Sequence, residues 1–378
     1  MKLEDYVAGR FVKQYEYESF SPAPINHAWI IADPVLHILL GEADRALGAL
    51  DAFAQLVPDI DFFVRSYVAK EATQSSRIEG TQTNIRDAFK NVHEIVPEKR
   101  DDWHEVKNYI NAINFAIDRL ATLPLSNRLL QETHAILLKG VRGETKLPGE
   151  FRQSQNWIGT SLKHASFIPP HHSEVVELMS DLENFLHNDV INVPPLIRIG
   201  IAHYQFETIH PFLDGNGRLG RLLISLYLSA DSLLVKPALY LSDYFEKNKT
   251  EYIDRLMAVR QGNHMDEWLK FFLQGIKESA DSAVQVFKAI LALKQYLDTN
   301  VLPLFSVRRQ KNAQALIRQL YASPIVDIND ICQLLNVTTN TASSLVKDFV
   351  KHKVLVEITG QTRNRLFIFS QYVSLFEK

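Results

Sequence analysis

The densest concentration of chemistry-bearing residues in this 378-residue chain runs from His210 to Arg221, reading His210-Pro211-Phe212-Leu213-Asp214-Gly215-Asn216-Gly217-Arg218-Leu219-Gly220-Arg221. Gly215, Asn216 and Gly217 lead into a helix-patterned segment. Backbone N–H groups at a glycine-rich helix start, together with the positive helix end, make a nest for anions, and phosphate is the natural guest. Arg218 and Arg221 stand three apart on that helix and offer planar guanidinium forks that suit phosphate oxygens. Asp214, just before the nest, is suited to Mg²⁺ beside those phosphates, because this ion prefers one or two carboxylates plus phosphate oxygens. His210 is the base of near-neutral pKa. Together they describe a nucleotide-phosphate site with a proton acceptor.

Two other readings of the same residues are weaker. Gly215 to Gly220 matches G-x-G-x-x-G, yet the segment before it, Pro195 to His210, has helical rather than strand periodicity, so the βαβ context of a dinucleotide site is missing. His203, Glu207 and His210 fall on one helix face, with Glu207-x-x-His210 as half of a di-iron pattern whose second half is absent. His203 and Glu207 therefore read as structural hydrogen-bonding groups.

The elements that must hold this segment are mostly helices. Asp33 as N-cap and Pro34 at the first helical position open a run through Leu56. A second helix is expected from Asp59 to Glu79, with Gly80 at C′. Glu79 then lies in a last turn, where the macrodipole disfavours a carboxylate and a nearby cation is expected. Asp101-Asp102 is the expected cap of a helix from Trp103 to Leu120, and Leu125 to Gly140 reads as another. Residues 148–170, with Gly149, Gly159 and Pro169-Pro170, suggest a hairpin among helices. Helical periodicity resumes from Ser173 to His187, Pro195 to His210 and Gly217 to Ser229, and continues to about Asn300. The stretch through Pro24 shows aromatic residues without clear periodicity.

Composition fits that reading. Hydrophobic residues make up 46% and charged residues 22%, which excludes disordered, collagen-like and coiled-coil chains. A single cysteine, Cys332, makes no internal disulfide, the N-terminus lacks a signal-peptide pattern, and no apolar run reaches membrane-spanning length. A cytoplasmic protein with no membrane partner is expected. The net charge is −3, but Arg308 onward carries ten Lys/Arg against five Asp/Glu, leaving −8 before it. There, Asn312 to Tyr321, Ile328 to Leu335 and Thr338 to His352 read as three short helices, followed by strands Val354 to Ile358 and Leu366 to Phe369. That order describes a winged helix-turn-helix, with Thr338 to His352 as recognition helix and Arg363 and Arg365 on the wing. DNA binding and protein docking or dimerisation stay open for this module.

The segment His210 to Arg221 resembles the signature of Fic-domain proteins, His-Pro-Phe-x-(Asp/Glu)-Gly-Asn-Gly-(Arg/Lys)-x-x-Arg, at every fixed position. Pro148 to Arg152 with Trp157-Ile158-Gly159 and Phe167 to Pro170 is similar to the family's flap, and Ser75-x-x-x-Glu79-Gly80 to its inhibitory motif. The resemblance implies a mainly α, Fic-type helical bundle with a short β-hairpin flap, here followed by the small C-terminal winged helix-turn-helix. The expected division is residues 1–100, an N-terminal helical region with the inhibitory helix; 101–300, the catalytic core; and 301–378, the winged module. It further implies transfer of AMP from ATP, with Mg²⁺, to a Tyr, Thr or Ser hydroxyl of a target protein or of the chain itself, and dimers. His210 would take the hydroxyl proton and Asp214 would bind Mg²⁺. Gly215, Asn216, Gly217, Arg218 and Arg221 would hold the phosphates. Glu79 would pair with Arg221 and inhibit, and the target would dock along the 157–170 flap. Two alternatives remain: removal of AMP, with Glu79 orienting a water, and a nucleotide-sensing DNA-binding regulator with little turnover.

Overall fold

Asp33 and Pro34 act at the first long helix as their residue types dictate. The Asp33 carboxylate accepts a hydrogen bond from the Val35 N–H, and Pro34 occupies the first turn. This computed structural model describes residues 1–57 and 60–377. Its elements are β1 (Gly9–Lys13), β2 (Glu18–Pro22), α1 (Pro34–Leu56), α2 (Ile60–Ile78), α3 (Ile85–Ala88), α4 (Arg100–Leu120) and α5 (Asn127–Leu137). They continue as β3 (Ile158–Gly159), β4 (Ala165–Phe167), α6 (Val175–His187), α7 (Pro195–Ile209), α8 (Asn216–Ala230), α9 (Ser242–Lys247), α10 (Lys249–Gly262) and α11 (Met265–Tyr296). The last are α12 (Val307–Ala322), β5 (Ile325–Val326), α13 (Ile328–Leu335), α14 (Thr339–Lys351), β6 (Val356–Glu357), β7 (Phe367–Ile368) and α15 (Ser370–Val373). The fold is mainly α, and among the described residues its sheets are two hairpins and one three-stranded sheet of order β5-β7-β6.

Several expectations need correction. The first 24 residues contain the β1–β2 hairpin, whose Phe11 pairs with Phe20 in register. Strand β1 is mostly open to solvent on both faces, so its sequence has no reason to alternate. Asp101-Asp102 is not a cap: α4 begins at Arg100, both acids sit in its first turn, and Asp102 instead accepts a hydrogen bond from the Gln82 N–H at 2.7 Å. Helix α5 is shorter than read, because Ser126 caps it through the Leu129 N–H. The expected start of α2 at Asp59 lies outside the described residues; Gly80 follows its end at φ +103°, as a C′ glycine should. The 148–170 hairpin contracts to β3 and β4, and the rest of that segment is held by side-chain hydrogen bonds to carbonyls instead of strand pairing. Strand β5 was not foreseen, since two residues leave no pattern.

Helix α11 organises the core, packing along α1 and crossing α7. Close approach to α7 is possible because Gly200 has no side chain: a Cβ there would lie 2.9 Å from Leu269 Cδ2 and 3.0 Å from Phe272 Cδ1. Trp268 fills the space beside it, fully buried, donating its indole N–H to the Gly200 carbonyl at 2.8 Å and stacking on His203. Helix α2 is shared between two regions. Its early turns present Phe63 and Tyr67 to Tyr321, Tyr372 and Phe376, with ring centroids 5.1–6.5 Å apart, and Ser66 accepts a hydrogen bond from the Tyr372 hydroxyl at 3.0 Å. A two-pronged Arg86–Glu377 pair closes that contact at 2.6 and 2.9 Å. The later turns of α2 face the signature segment. Replacing Trp268 by Ala removes a fully buried ring from the α7–α11 seam and is expected to cost about 3–5 kcal/mol, read as a lower denaturant midpoint.

Candidate active site

The signature segment is the corner between α7 and α8. His210 ends α7 in the left-handed region, at φ 51° and ψ 60°, and Gly215 precedes α8 at φ 75°. Such a corner needs internal fastening, and Asn216 supplies it: its carboxamide accepts from the Phe212 N–H and donates to the Phe212 carbonyl, both at 2.8 Å. The Asn216 side chain is therefore spent on the loop, leaving its backbone N–H for an anion. His134 of α5 holds the outer side of the corner, stacked 3.9 Å from the Phe212 ring. Its Nδ1 accepts from the Gly149 N–H, which leaves the hydrogen on Nε2 for donation to the Asp214 carbonyl at 2.9 Å.

The flap is tied to the same corner. Arg152, almost fully buried, donates to the carbonyls of His210, Pro170, Ile209 and Ser154. Asn156 donates to the carbonyls of His210 and Phe212. Arg260 of α10 bonds Thr208 and the Glu207 carbonyl while lying 3.8 Å over the Phe167 ring of β4. On its far side, β4 leads into a bond from the Phe20 N–H of β2 to the Ile168 carbonyl, so β3 is the outer edge of the flap. These cations also act on His210. Burial first, then Arg260 and Arg152, lower its pKa to about 4, with Glu79 opposing. The imidazole is neutral at physiological pH, as a general base must be.

The two arginines of the signature share a helix but meet different carboxylates. Arg218 reaches Glu105 of α4 at 3.2 Å and Asp214 at 3.7 Å. Arg221, of which 2% of the side chain is exposed, is gripped by the last turn of α2: Ser75 Oγ and the Ser75 carbonyl at 2.9 Å, and Glu79 Oε1 at 2.6 Å. The cation expected near Glu79 is thus Arg221. Burial pushes the Glu79 carboxyl up, but Arg221, helped by Arg218 and His210, more than offsets this and the net shift is downward. The carboxylate lies on the first turn of α8, and a Cβ on Gly217 would collide with its Oε1. Glu79 therefore occupies space at the N-terminus where an anion would sit.

His203 is the structural group expected of it, with Nδ1 donating to the Gly220 carbonyl and Nε2 accepting from the Tyr252 hydroxyl. Glu207 departs from that expectation. Its carboxyl turns into the gap that Gly220 leaves open, and Oε1 is buried without a hydrogen-bond partner. Sequence reasoning passed over Glu105, His134, Asn156 and Arg260, which sit far from the motif in the chain, and took Arg152 only as part of the flap segment, with no role of its own. The one signal available was that ion pairing is required for arginines on a helix that is otherwise apolar. Asp214 keeps 37% of its side-chain exposure, and no cluster of three or more His, Cys, Asp or Glu suited to a metal exists among the described residues. One open carboxylate fits a Mg²⁺ that arrives with phosphates and keeps its waters, rather than a protein-built cage.

The Fic/DOC family N-terminal profile matches residues 37–118 and the Fic/DOC family profile residues 124–228. This chain belongs to the Fic/DOC family. Protein adenylyltransferase Fic of Drosophila grimshawi is 37% identical over 81 residues, 21% of this chain and 16% of that protein. Protein adenylyltransferase fic-1 of Caenorhabditis elegans is 27% identical over 139 residues, 35% of this chain and 26% of the relative. The chain thus aligns with a minor part of each relative's length. Among solved structures, a Fic family protein from Desulfovibrio desulfuricans G20 superposes with TM-score 0.57 at 21% identity, covering 91% of this chain and 98% of the other. C. elegans Fic-1 superposes with TM-score 0.53 at 21% identity, covering 69% and 75%. These likenesses establish the fold. No helix among the described residues of this Fic/DOC protein is long and apolar enough to cross a membrane.

Burial pushes the imidazoles of His134 and His210 down to about 4 and that of His203 to about 3. A histidine whose folded pKa lies below its unfolded 6.5 contributes stability that is complete above pH 6.5 and is lost as the pH falls towards the folded value. His203→Gln is therefore expected to lower Tm at neutral pH while flattening its decline between pH 6.5 and 4, as measured by thermal scans beside the parent chain.

Proposed function

We propose that this chain is a protein adenylyltransferase, moving AMP from ATP to a Tyr, Thr or Ser hydroxyl of a target protein or of itself, and that Glu79 restrains it by holding Arg221. The contact that carries this reading is the Glu79–Arg221 pair on the first turn of α8. It sets a carboxylate against the guanidinium that, on this reading, an ATP phosphate would need for itself. The names of the relatives, which align with only part of this chain, support the same reaction.

The corner supplies the parts that phosphoryl-type transfer requires, which are positioning and charge neutralisation more than covalent chemistry. The backbone N–H groups of Gly215 to Gly217 and the α8 N-terminus receive phosphate oxygens. Arg218, fixed by Glu105, adds charge at that end, and Arg221 adds it once Glu79 withdraws. Asp214 would hold the Mg²⁺, which supplies charge neutralisation at the phosphates when bound. A target segment pairing along the free edge of β3 would bring its hydroxyl to neutral His210, which takes the proton. Backbone pairing of this kind selects an extended conformation more than a sequence.

Losing one hydrogen bond to a charged group frees about 1.5–3 kcal/mol, so Glu79→Gly is expected to raise incorporation of α-labelled ATP into protein about 10- to 100-fold. Adding His210→Ala should abolish the label. Equal labelling by parent and Glu79→Gly would remove the restraint from this reading, and absence of label in all three, with release of AMP from a modified protein, would assign AMP removal.

For residues 301–378 we infer a winged helix-turn-helix that binds duplex DNA. Helices α12–α14, the β6–β7 hairpin and the added strand β5 support it, as do the exposed Thr338–Thr341, Lys347, Arg363 and Arg365. Ala342, Leu345, Val346 and Phe349 are buried, which turns the polar face of α14 outward. Arg363→Ala with Arg365→Ala is expected to weaken duplex retention in a gel shift, and unchanged retention or none in the parent would assign the module to protein docking.

A further inference from the structure

Glu207 is a buried ionisable group beside the signature segment that the proposed mechanism does not use. It sits one turn before His210 on α7 with 6% exposure. Its Oε1 has no hydrogen-bond partner and the buried His210 Nδ1 makes no well-formed one, although the Glu207 main-chain carbonyl also acts on the ring and favours its protonated form. The two groups face each other, with Glu207 Oε2 4.0 Å from His210 Nδ1, about an ångström beyond a hydrogen bond. Gly220 makes the room, since a Cβ there would collide with Glu207 Oε1. An unmade hydrogen bond on a buried carboxyl costs about 1–3 kcal/mol, so an apolar side chain would serve packing better.

We propose that Glu207 is a positioning residue for His210, its carboxylate receiving the Nδ1 hydrogen when the imidazole becomes imidazolium. The idea rests on His210 being the base. In the transfer step the target hydroxyl gives its proton to His210 Nε2, its oxygen bonds the α-phosphorus, and the bond to the β-phosphate oxygen breaks as pyrophosphate leaves. His210 then carries hydrogen on both nitrogens, and Glu207 closes the remaining ångström to accept from Nδ1. The proton passes to solvent when the site opens.

The surroundings of Glu207 link this step to the restraint on Arg221. The groups that face its carboxyl are Arg221 of α8, Glu79 after α2, and Arg260 and the Tyr252 hydroxyl of α10, with His210 beside it on α7. Burial pushes the carboxyl up to about 7; Arg221 and Arg260 oppose this and the Glu79 charge adds to it. Withdrawing Glu79 removes a neighbouring negative charge and frees a positive one, and both changes favour ionised Glu207. The movement that exposes Arg221 to ATP thereby also prepares the carboxylate that supports the base.

The test compares Glu207→Gln and Glu207→Asp in the full-length Glu79→Gly chain. Expected for Glu207→Gln is a kcat for AMP transfer reduced about tenfold, equivalent to 1.4 kcal/mol, with KM for ATP within twofold. An acid limb of kcat below pH 7 should vanish, and Glu207→Asp should restore part of it. A readout without turnover is histidine NMR of the nucleotide-free protein. The His210 ring should sense a neighbour titrating near pH 7 in the parent, at lower pH in Glu79→Gly, and not at all in Glu207→Gln. A His210 signal that is the same in parent and Glu207→Gln, or an unchanged kcat and pH profile, overturns the proposal. If Glu79→Gly transfers no AMP, the transferase reading fails while the NMR comparison still decides whether the two side chains are coupled.

Discussion

A guanidinium with 2% of its side chain exposed cannot stand unpaired, and in this fold Arg221 finds all its partners on one turn of one helix. Ser75 offers a hydroxyl and a carbonyl, and Glu79 offers the charge. An isolated buried cation costs several kcal/mol, so the arrangement of α2 over α8 is dictated by electrostatics as much as by packing. Gly217 exists in the same logic, as the position where a side chain would keep the carboxylate away. The second arginine is treated alike but independently: Arg218 draws on Glu105 of α4, which also meets Arg142 at 3.2 Å. One helix start is thus neutralised from two directions. The partner of Arg218 is nearly sealed in the interior, whereas the partner of Arg221 keeps 38% of its side-chain exposure.

What could be read from the sequence follows the range of the interactions. Contiguous features were plain: the Asp33-Pro34 start, Gly80 after α2, and the corner from His210 to Arg221 all depend on neighbours a few residues apart. Glu79 was legible as well, because a carboxylate at a helix C-terminus requires a cation from elsewhere. The supports were not. His134 reaches Asp214 across 80 residues of sequence while also holding Gly149, and Arg152 clamps carbonyls of α7 from the flap segment. His134 carries no periodic or motif signal, and Arg152 lies in the flap segment without its role being legible there, since a side chain bonding to main-chain carbonyls imposes nothing on the residue types it meets. The β1–β2 hairpin was lost for a related reason, an edge strand that buries neither face leaving no alternation to detect.

The neutral state of His210 has a similar origin. It comes from burial and from Arg260 and Arg152, two cations whose visible task is holding the flap and the end of α7. Groups that position the corner also fix the protonation of the imidazole within it, so geometry and acidity cannot be adjusted separately here.

Helix α2 gives the molecule a mechanical property of its own. At one end Phe63 and Tyr67 are embedded among Tyr321, Tyr372 and Phe376; at the other Ser75 and Glu79 hold Arg221. A rigid displacement of the helix would have to tear the aromatic cluster apart, exposing several rings to water at once. Bending or fraying of the final turn, where Gly80 already departs from helical geometry, leaves that cluster intact. The helix is therefore held at its root by the C-terminal elements and along its middle by Tyr109 of α4 and Ser242 of α9, which leaves movement of the carboxylate to its final turn.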